Sequence, residues 1–273
     1  MQSGLAVLPS FLDQMGRYFK VSLRRVDFLR QKEIARLEMN TYVKEKTFGK
    51  IKDLIQSSDI TPFTKMVLVS TLYMKVKWKK PFLSSSILLR PFFISSDKTA
   101  SLPFMTDTAF YPYFKSENFT ALSIPYVHPK ENMPELEFLI LLPSKNFGIS
   151  ELEKQLDNEL FKNVISHLES EEISLFLPKF TFSKSMSLKD TLIAMGMKDA
   201  FNAEADFSGI VENKELQLGQ VSHKVFIEVD ENGTEAAAAT SVTMNTKAFL
   251  REKEPIVFDA DHPFIFLIYE KLT

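Results

Sequence analysis

Four histidines, His128, His167, His223 and His262, are the side chains best suited to ligate a metal or move a proton near neutral pH. They stand far apart, and none falls in a His-x-x-x-His or similar metal-binding spacing. The chain has no cysteine, which excludes thiolate zinc sites, iron–sulfur clusters, thiol nucleophiles and disulfides together. Neither a metal nor a cofactor is expected. Gly-x-Ser-x-Gly and Gly-x-x-x-x-Gly-Lys-Ser/Thr are both absent, and 8 glycines in 273 residues leave little material for phosphate cradles. A Ser–His–Asp triad drawn from distant residues leaves no local trace, because triads are recognised by geometry. With no motif in support, the chain is read as no enzyme. The lysines around the single tryptophan, Lys75, Lys77, Lys79 and Lys80, could form an anion patch, but their alternation favours a solvated strand face.

The balance of charge agrees. Lys and Arg total 33 against 35 Asp and Glu, a formal charge of −2, so no global field favours nucleic acid or an anionic membrane. No run of about 18 apolar residues is present to span a bilayer. Residues 1–9 lack the basic n-region and the apolar length of a secretory signal. Hydrophobic residues at 45% and charged residues at 25% are ordinary for a folded globular chain.

The elements that would position any site follow from periodicity. Residues 18–28 alternate loosely, with Phe19, Val21 and Leu23 between polar neighbours, and read as a strand. Ile34, Leu37 and Val43 amid charges predict an amphipathic helix over 31–46 that stops before Gly49. Residues 66–74 are nearly continuously apolar, as in a strand buried on both faces, and strict alternation begins at Lys75. Further strands are expected over 136–142, 173–182, 216–230 (broken by Gly219) and 264–269. Ser150 and Glu153 form a capping box that opens a helix through Leu156, Leu160, Val164 and Leu168. Ser187 caps a short helix closed by Gly196. Runs of strands with helices between some of them give an α+β fold, and no linker divides 1–273, so one domain is expected.

One segment resists this plain reading. Residues 231–242 run from Glu231 through Gly233, Thr234, Glu235 and the alanines Ala236, Ala237, Ala238 and Ala239 to Val242. Alanine favours helix, yet the run is too short for a stable isolated helix and turns towards β-formers at Thr240. Small volume is its constant property. Such a segment lies in solvent at modest cost and can also slide between two strands without clashes.

Residues 221–240, VSHKVFIEVDENGTEAAAAT, resemble the strand and hinge of an inhibitory serpin, and residues 258–266, FDADHPFIF, resemble that family's C-terminal signature. GKI at 49–51, LVS at 68–70, WKKPF at 78–82, LPKF at 177–180 and DFSGI at 206–210 follow in the family's order along nearly the whole chain. The resemblance implies a serpin-like fold of mixed β-sheets with surrounding helices and an exposed reactive loop. It also implies a suicide inhibitor of serine proteases, in which the cleaved loop inserts as a new strand of the largest sheet and traps the acylated enzyme. The early helices, and a strand expected after Thr273, have no counterpart here. Ser70 stands where the family usually has Asn, and Val76 where Gly is usual.

By the same resemblance, Glu231, Gly233, Thr234, Glu235 and Ala236 to Ala239 form the hinge, and Ser70, Trp78, Lys179 and His223 line the region where the sheet opens. Lys179 and Glu231 would pair there. Counting from Glu231 to about the seventeenth residue places the reactive bond at Lys247–Ala248, with Arg251 as the rival. A lysine before the bond suits a trypsin-like serine protease as partner. A full-length version is expected to be a monomer. Asn118-Phe119-Thr120 and Asn232-Gly233-Thr234 are sequons, although a glycan on Asn232 would obstruct insertion. An extracellular location is expected, with the cytoplasm as the alternative. The competing readings are a non-inhibitory serpin acting as a binding protein or chaperone, and an inert fragment.

Overall fold

The computed structural model describes residues 1–21, 23–128, 134–212, 216–234 and 254–271. In chain order the helices are α1 (Pro9–Gln14), α2 (Lys32–Lys46), α3 (Ile149–Glu153), α4 (Asn158–Ser166) and α5 (Lys189–Ala194). The strands are β1 (Val67–Tyr73), β2 (Val76–Lys77), β3 (Ile87–Ser95), β4 (Lys98–Lys115), β5 (Phe119–Pro125), β6 (Leu136–Pro143), β7 (Glu169–Pro178), β8 (Phe180–Ser187), β9 (Gln220–Val229), β10 (Gly233–Thr234), β11 (Ile256–Asp259) and β12 (Ile265–Glu270). Two compact units result, Met1–Tyr73 with Phe182–Ile227, and Met74–Thr181 with Glu228–Thr273.

In the first unit α2 buries Ala35 and Val43 against Phe28, Ile51 and Ile55. The expected apolar face is displaced, since Ile34 and Leu37 are exposed. Ala35, Met39 and Val43, spaced i, i+4, i+8, form the inward stripe instead. Inside it the Asn40 carboxamide donates to the Ile55 carbonyl and accepts from the Ile55 N–H, both at 2.9 Å. That exchange ties the helix to the chain returning beneath it. A three-stranded sheet in the order β1-β9-β8 follows. β1 and β9 pair in parallel from Val67↔Gln220 to Tyr73↔Phe226.

Three sequence expectations change here. The described residues of 18–28 are no strand: a π-helical turn covers Met15–Phe19, Lys20 is left-handed, and Phe19 and Val21 lie exposed. Alternation without a neighbouring strand has nothing to pair with; Val26 makes only an isolated bridge to Gln2. β1 is present, but Leu68, Val69 and Leu72 are exposed on it, so it is not buried on both faces. Among the described residues β9 is its one sheet neighbour. α5 starts after Leu188, with no cap from Ser187, and Gly196 beyond it adopts φ 104°.

The second unit holds a seven-stranded sheet in the order β11-β7-β4-β5-β6-β12, with β3 paired to β4, and a separate β2–β10 pair. Periodicity alone did not mark β3, β4 or β5. Phe119, Ala121, Leu139 and Leu141 face Leu152 of α3 and Val164 of α4. The helix expected from Ser150 onward is two helices. Asp157, whose carboxylate accepts from the Leu160 N–H at 2.7 Å, caps α4 and restarts the spiral. The strand expected over 173–182 is likewise two, β7 and β8, divided at Lys179.

Candidate functional site

After β9 the chain reverses at once. The Asp230 carboxylate accepts from the N–H groups of Asn232 at 2.8 Å and Gly233 at 3.2 Å, an Asx-type turn. Gly233 then pairs antiparallel with Lys77, and Thr234 with Val76. On its other side Gly233 bridges Asp230, donating to and accepting from its backbone at 3.2 and 2.9 Å. β10 is thus held on two sides at Gly233. Only glycine fits there: its φ is 138°, and a Cβ would stand 2.3 Å from the Val76 carbonyl oxygen and 2.8 Å from the Trp78 nitrogen.

Trp78 supports this turn from beneath. It is 0% exposed, stacks on Tyr126 at 4.7 Å, and meets Phe82 and Phe138 edge-on. Its indole N–H donates to the Asp230 carbonyl at 2.8 Å, and its backbone N–H to the Asn232 carbonyl at 3.1 Å. The Phe82 N–H donates to the Glu231 carbonyl at 2.8 Å. Lys79 and Lys77 are exposed on either side, as alternation requires.

Glu231 pairs with Lys179 at 2.5 Å, both side chains about three-quarters buried or more. Burial pushes the Glu231 carboxyl up, but the hydrogen bond and charge from Lys179 outweigh it and hold the group below the usual carboxylate range. Asp230 beside it moves the other way. Burial raises its carboxyl, with the Glu231 charge adding to the rise.

In the first unit Ser70 and His223 are register partners, and the His223 Nδ1 lies 3.0 Å from the Ser70 hydroxyl. His223 is half-buried and Ser70 exposed. On the same face Val221 is buried, whereas Leu68 and Leu72 are exposed.

The structure therefore brings Trp78, Lys179, Glu231 and Gly233 together, and Ser70 with His223. Asp230 and Tyr126 escaped the sequence reading; the spacing Asp230-x-x-Gly233 was the available signal for a turn. Glu235, Ala236 to Ala239, Lys247, Ala248 and Arg251 lie outside the described residues. Among the described residues there is no metal-capable cluster of His, Cys, Asp and Glu. His262 has a packing role, its ring bonded to the Pro143 carbonyl at 2.9 Å and to Asp261 at 2.7 Å. No described helix is long and apolar enough to cross a membrane.

An uncharacterized serpin-like protein of Thermococcus kodakarensis is 37% identical over 100% of this chain, which spans 62% of that relative's length. The leukocyte elastase inhibitor of Xenopus tropicalis is 36% identical, with 97% of this chain and 70% of the relative covered. The crystal structure of human thyroxine-binding globulin in complex with its hormone superposes with a TM-score of 0.88 at 29% identity, covering 99% of this chain and 69% of that one. The family model for serpins (serine protease inhibitors) matches residues 1–273, and the chain belongs to the serpin family.

Proposed function

We propose that the protein is a loop-insertion inhibitor of serine proteases, with Lys247–Ala248 as the bond offered to trypsin-like enzymes. The observation that carries this is β10: Gly233 and Thr234 already occupy a strand position against β2, with Asp230 on the other side of Gly233. The small residues that follow Thr234 in sequence could extend that strand with little steric cost.

The chemistry balances simply. The protease serine oxygen attacks the Lys247 carbonyl carbon, the bond to the Ala248 nitrogen breaks, and that nitrogen leaves as an amine with the serine's proton. An acyl ester now joins the enzyme to Lys247. Water would hydrolyse it in a substrate; here insertion of the freed segment between β1 and β9 outruns water and traps the enzyme. Ser70 and His223 hold the seam until then, and within the second unit Lys179, Glu231 and Trp78 hold the root of β10. The two compact units are read as parts of one domain. The relatives give no support to the extracellular expectation, and we place the protein in the cytoplasm.

Incubation with trypsin tests the reading. The parent chain should give a complex that survives denaturing electrophoresis, while Thr234→Arg should be cleaved at the same bond without trapping. An arginine entering the sheet must shed its hydration unpaired, at a cost of several kcal/mol or more. About 1.4 kcal/mol on the insertion barrier already slows insertion roughly tenfold. Parent-like trapping by Thr234→Arg would rule out insertion. A binding-protein reading draws on the likeness to thyroxine-binding globulin; the small-residue hinge argues against it.

A further inference from the structure

Residues 78–82 lie between β2 and β3, outside both strands, and the turn at Asp230 leans on them. The Trp78 N–H reaches the Asn232 carbonyl, and the Phe82 N–H reaches the Glu231 carbonyl. Lys80 stands between these two contacts. Its ammonium donates to both carboxylate oxygens of Asp107, at 2.9 and 2.7 Å. Asp107 belongs to β4, and its Oδ2 also accepts from the Tyr111 hydroxyl at 2.7 Å.

This is not an ordinary surface ion pair. The Lys80 side chain is 52% exposed, but that of Asp107 is only 21% exposed, and Tyr111 is buried. A carboxylate so withdrawn from water must be met by donors, and Lys80 and Tyr111 supply them. Burial pushes the Tyr111 phenol up, and the Asp107 charge adds to the rise, so the hydroxyl stays a donor. Lys80 thus departs from the solvated lysines Lys77 and Lys79, because its head group is committed to the sheet.

β4 is a firm base for such an anchor. It pairs with β7 from Phe104↔Pro178 to Tyr113↔Glu169, and Asp107 stands opposite the buried Leu175. The Thr106 hydroxyl, next to Asp107, donates to the Ser86 carbonyl at 2.9 Å and pins the same connection again before β3 begins. β4 also reaches the root of β10 by a second route. The Pro103 carbonyl accepts from the Lys179 N–H at 2.8 Å, and the Lys179 ammonium holds Glu231.

We propose that Asp107 and Lys80 are positioning residues for the trapping step: their pair fixes residues 78–82 on β4 and so holds Gly233 and Thr234 in register with β2. The proposal rests on the loop-insertion reading above. Trapping is a race between insertion and hydrolysis of the acyl ester. A strand whose first residues already stand in register adds the next ones directly, whereas one that must first find its register loses time to water. Without the pair, the contacts of Trp78 and Phe82 with the turn loosen, and more of the inhibitor is spent as substrate.

The test uses the full chain and trypsin. Lys80→Met removes the ammonium and keeps the stem, and Asp107→Asn keeps the shape and removes the charge. Either should raise the number of inhibitor molecules consumed per trypsin trapped by about three- to tenfold, with first cleavage after Lys247 within about twofold of the parent rate. Lys80→Arg, which can again donate to both oxygens, should restore parent-like trapping, and Lys79→Met should change nothing. Amide hydrogen exchange gives a second measurement that needs no protease. In Lys80→Met it should accelerate at Trp78 and Phe82 and stay parent-like at Leu139 and Leu141 of β6. Parent-like exchange at Trp78 and Phe82 would overturn the proposal, and so would faster exchange there with parent-like stoichiometry. A parent chain that traps no trypsin, with exchange accelerated in Lys80→Met, would overturn the insertion reading and with it the role of the pair.

Discussion

Arg90 holds Asp259 in a two-pronged ion pair, its terminal N–H groups donating to the two carboxylate oxygens at 2.9 and 2.6 Å. The same guanidinium lies 4.2 Å from the Phe176 ring centre and 5.2 Å from that of Phe104. Asp259 ends β11, a four-residue edge strand paired in parallel with β7. So short a parallel strand is weak by itself. The fork, together with the Phe93 N–H donating to the Asp261 carbonyl at 2.7 Å, fixes the chain just beyond the proposed reactive loop.

Arg90→Met should therefore loosen β11 and lower stability by about 1–2 kcal/mol, a figure discounted because both groups are about a quarter exposed. Arg90→Lys should recover only part of it, since an ammonium neither forks nor stacks. Urea melts measure the loss, and amide exchange at Val257 and Phe258 locates it. Parent-like exchange there would show that the fork is dispensable.

Glu137 predicts sensitivity to acid. Its side chain, 6% exposed, accepts from Ser123 and Tyr269 hydroxyls at 2.6 Å each and from the Lys271 ammonium at 2.9 Å. Burial pushes the carboxyl up, but the three donors together outweigh it and hold it below the usual range, while burial and this carboxylate push the Tyr269 phenol up. The folded value lies below the unfolded one, so the unfolded state binds the proton first. The contribution is complete above the ordinary carboxylate pKa of about 4.3 and fades as pH falls through the folded value. Glu137→Gln should lose about 1–3 kcal/mol at pH 7, and its stability should fall less than the parent's between pH 5 and 3. Parallel pH curves for the two would contradict this.

How far the sequence reached depends on what each residue needed. β6 was legible because its continuous apolar run, Phe138 to Leu142, is buried in a sheet, and β12 because its apolar run is half-buried beside it. β3 and β4 were not, because Pro91, Pro103 and Pro112 interrupt the pattern and their pairing comes from across the sheet. Residues 18–28 carried a strand's alternation without a partner, which periodicity cannot reveal. In the candidate site, Lys179 and Glu231 came from family likeness alone. The spacing of 52 residues holds no physical signal that they meet.

Gly233 predicts a local optical signature. Any side chain there collides with the backbone of Val76, Lys77 and Trp78 and also meets an unfavourable φ. Gly233→Val should lift β10 from β2 and break the bond from the Trp78 N–H to the Asn232 carbonyl. Trp78 is the single tryptophan, so its emission reports the site directly. It should shift to the red with little change in the overall melt, and trypsin should cleave the variant rather than be trapped. An unshifted emission with intact trapping would mean that β10 is not the strand from which insertion starts.

The choice of bond can be decided by charge. A trypsin-like S1 pocket carries a carboxylate at its base and accepts one basic side chain. If Lys247 fills it, Lys247→Glu sets two carboxylates together in a buried pocket, where like charges cannot both remain ionised at modest cost. The rate of trapping should fall by at least about a hundredfold, since a penalty near 2.8 kcal/mol is two factors of ten. Arg251→Glu, four residues further along, should leave that rate within about threefold. Mass spectrometry of the fragment released on trapping supplies the independent check, since cleavage after Lys247 leaves Ala248 as its first residue. If Arg251→Glu abolishes trapping and Lys247→Glu does not, Arg251 precedes the scissile bond, and the hinge from Glu231 is four residues longer than the family spacing implies.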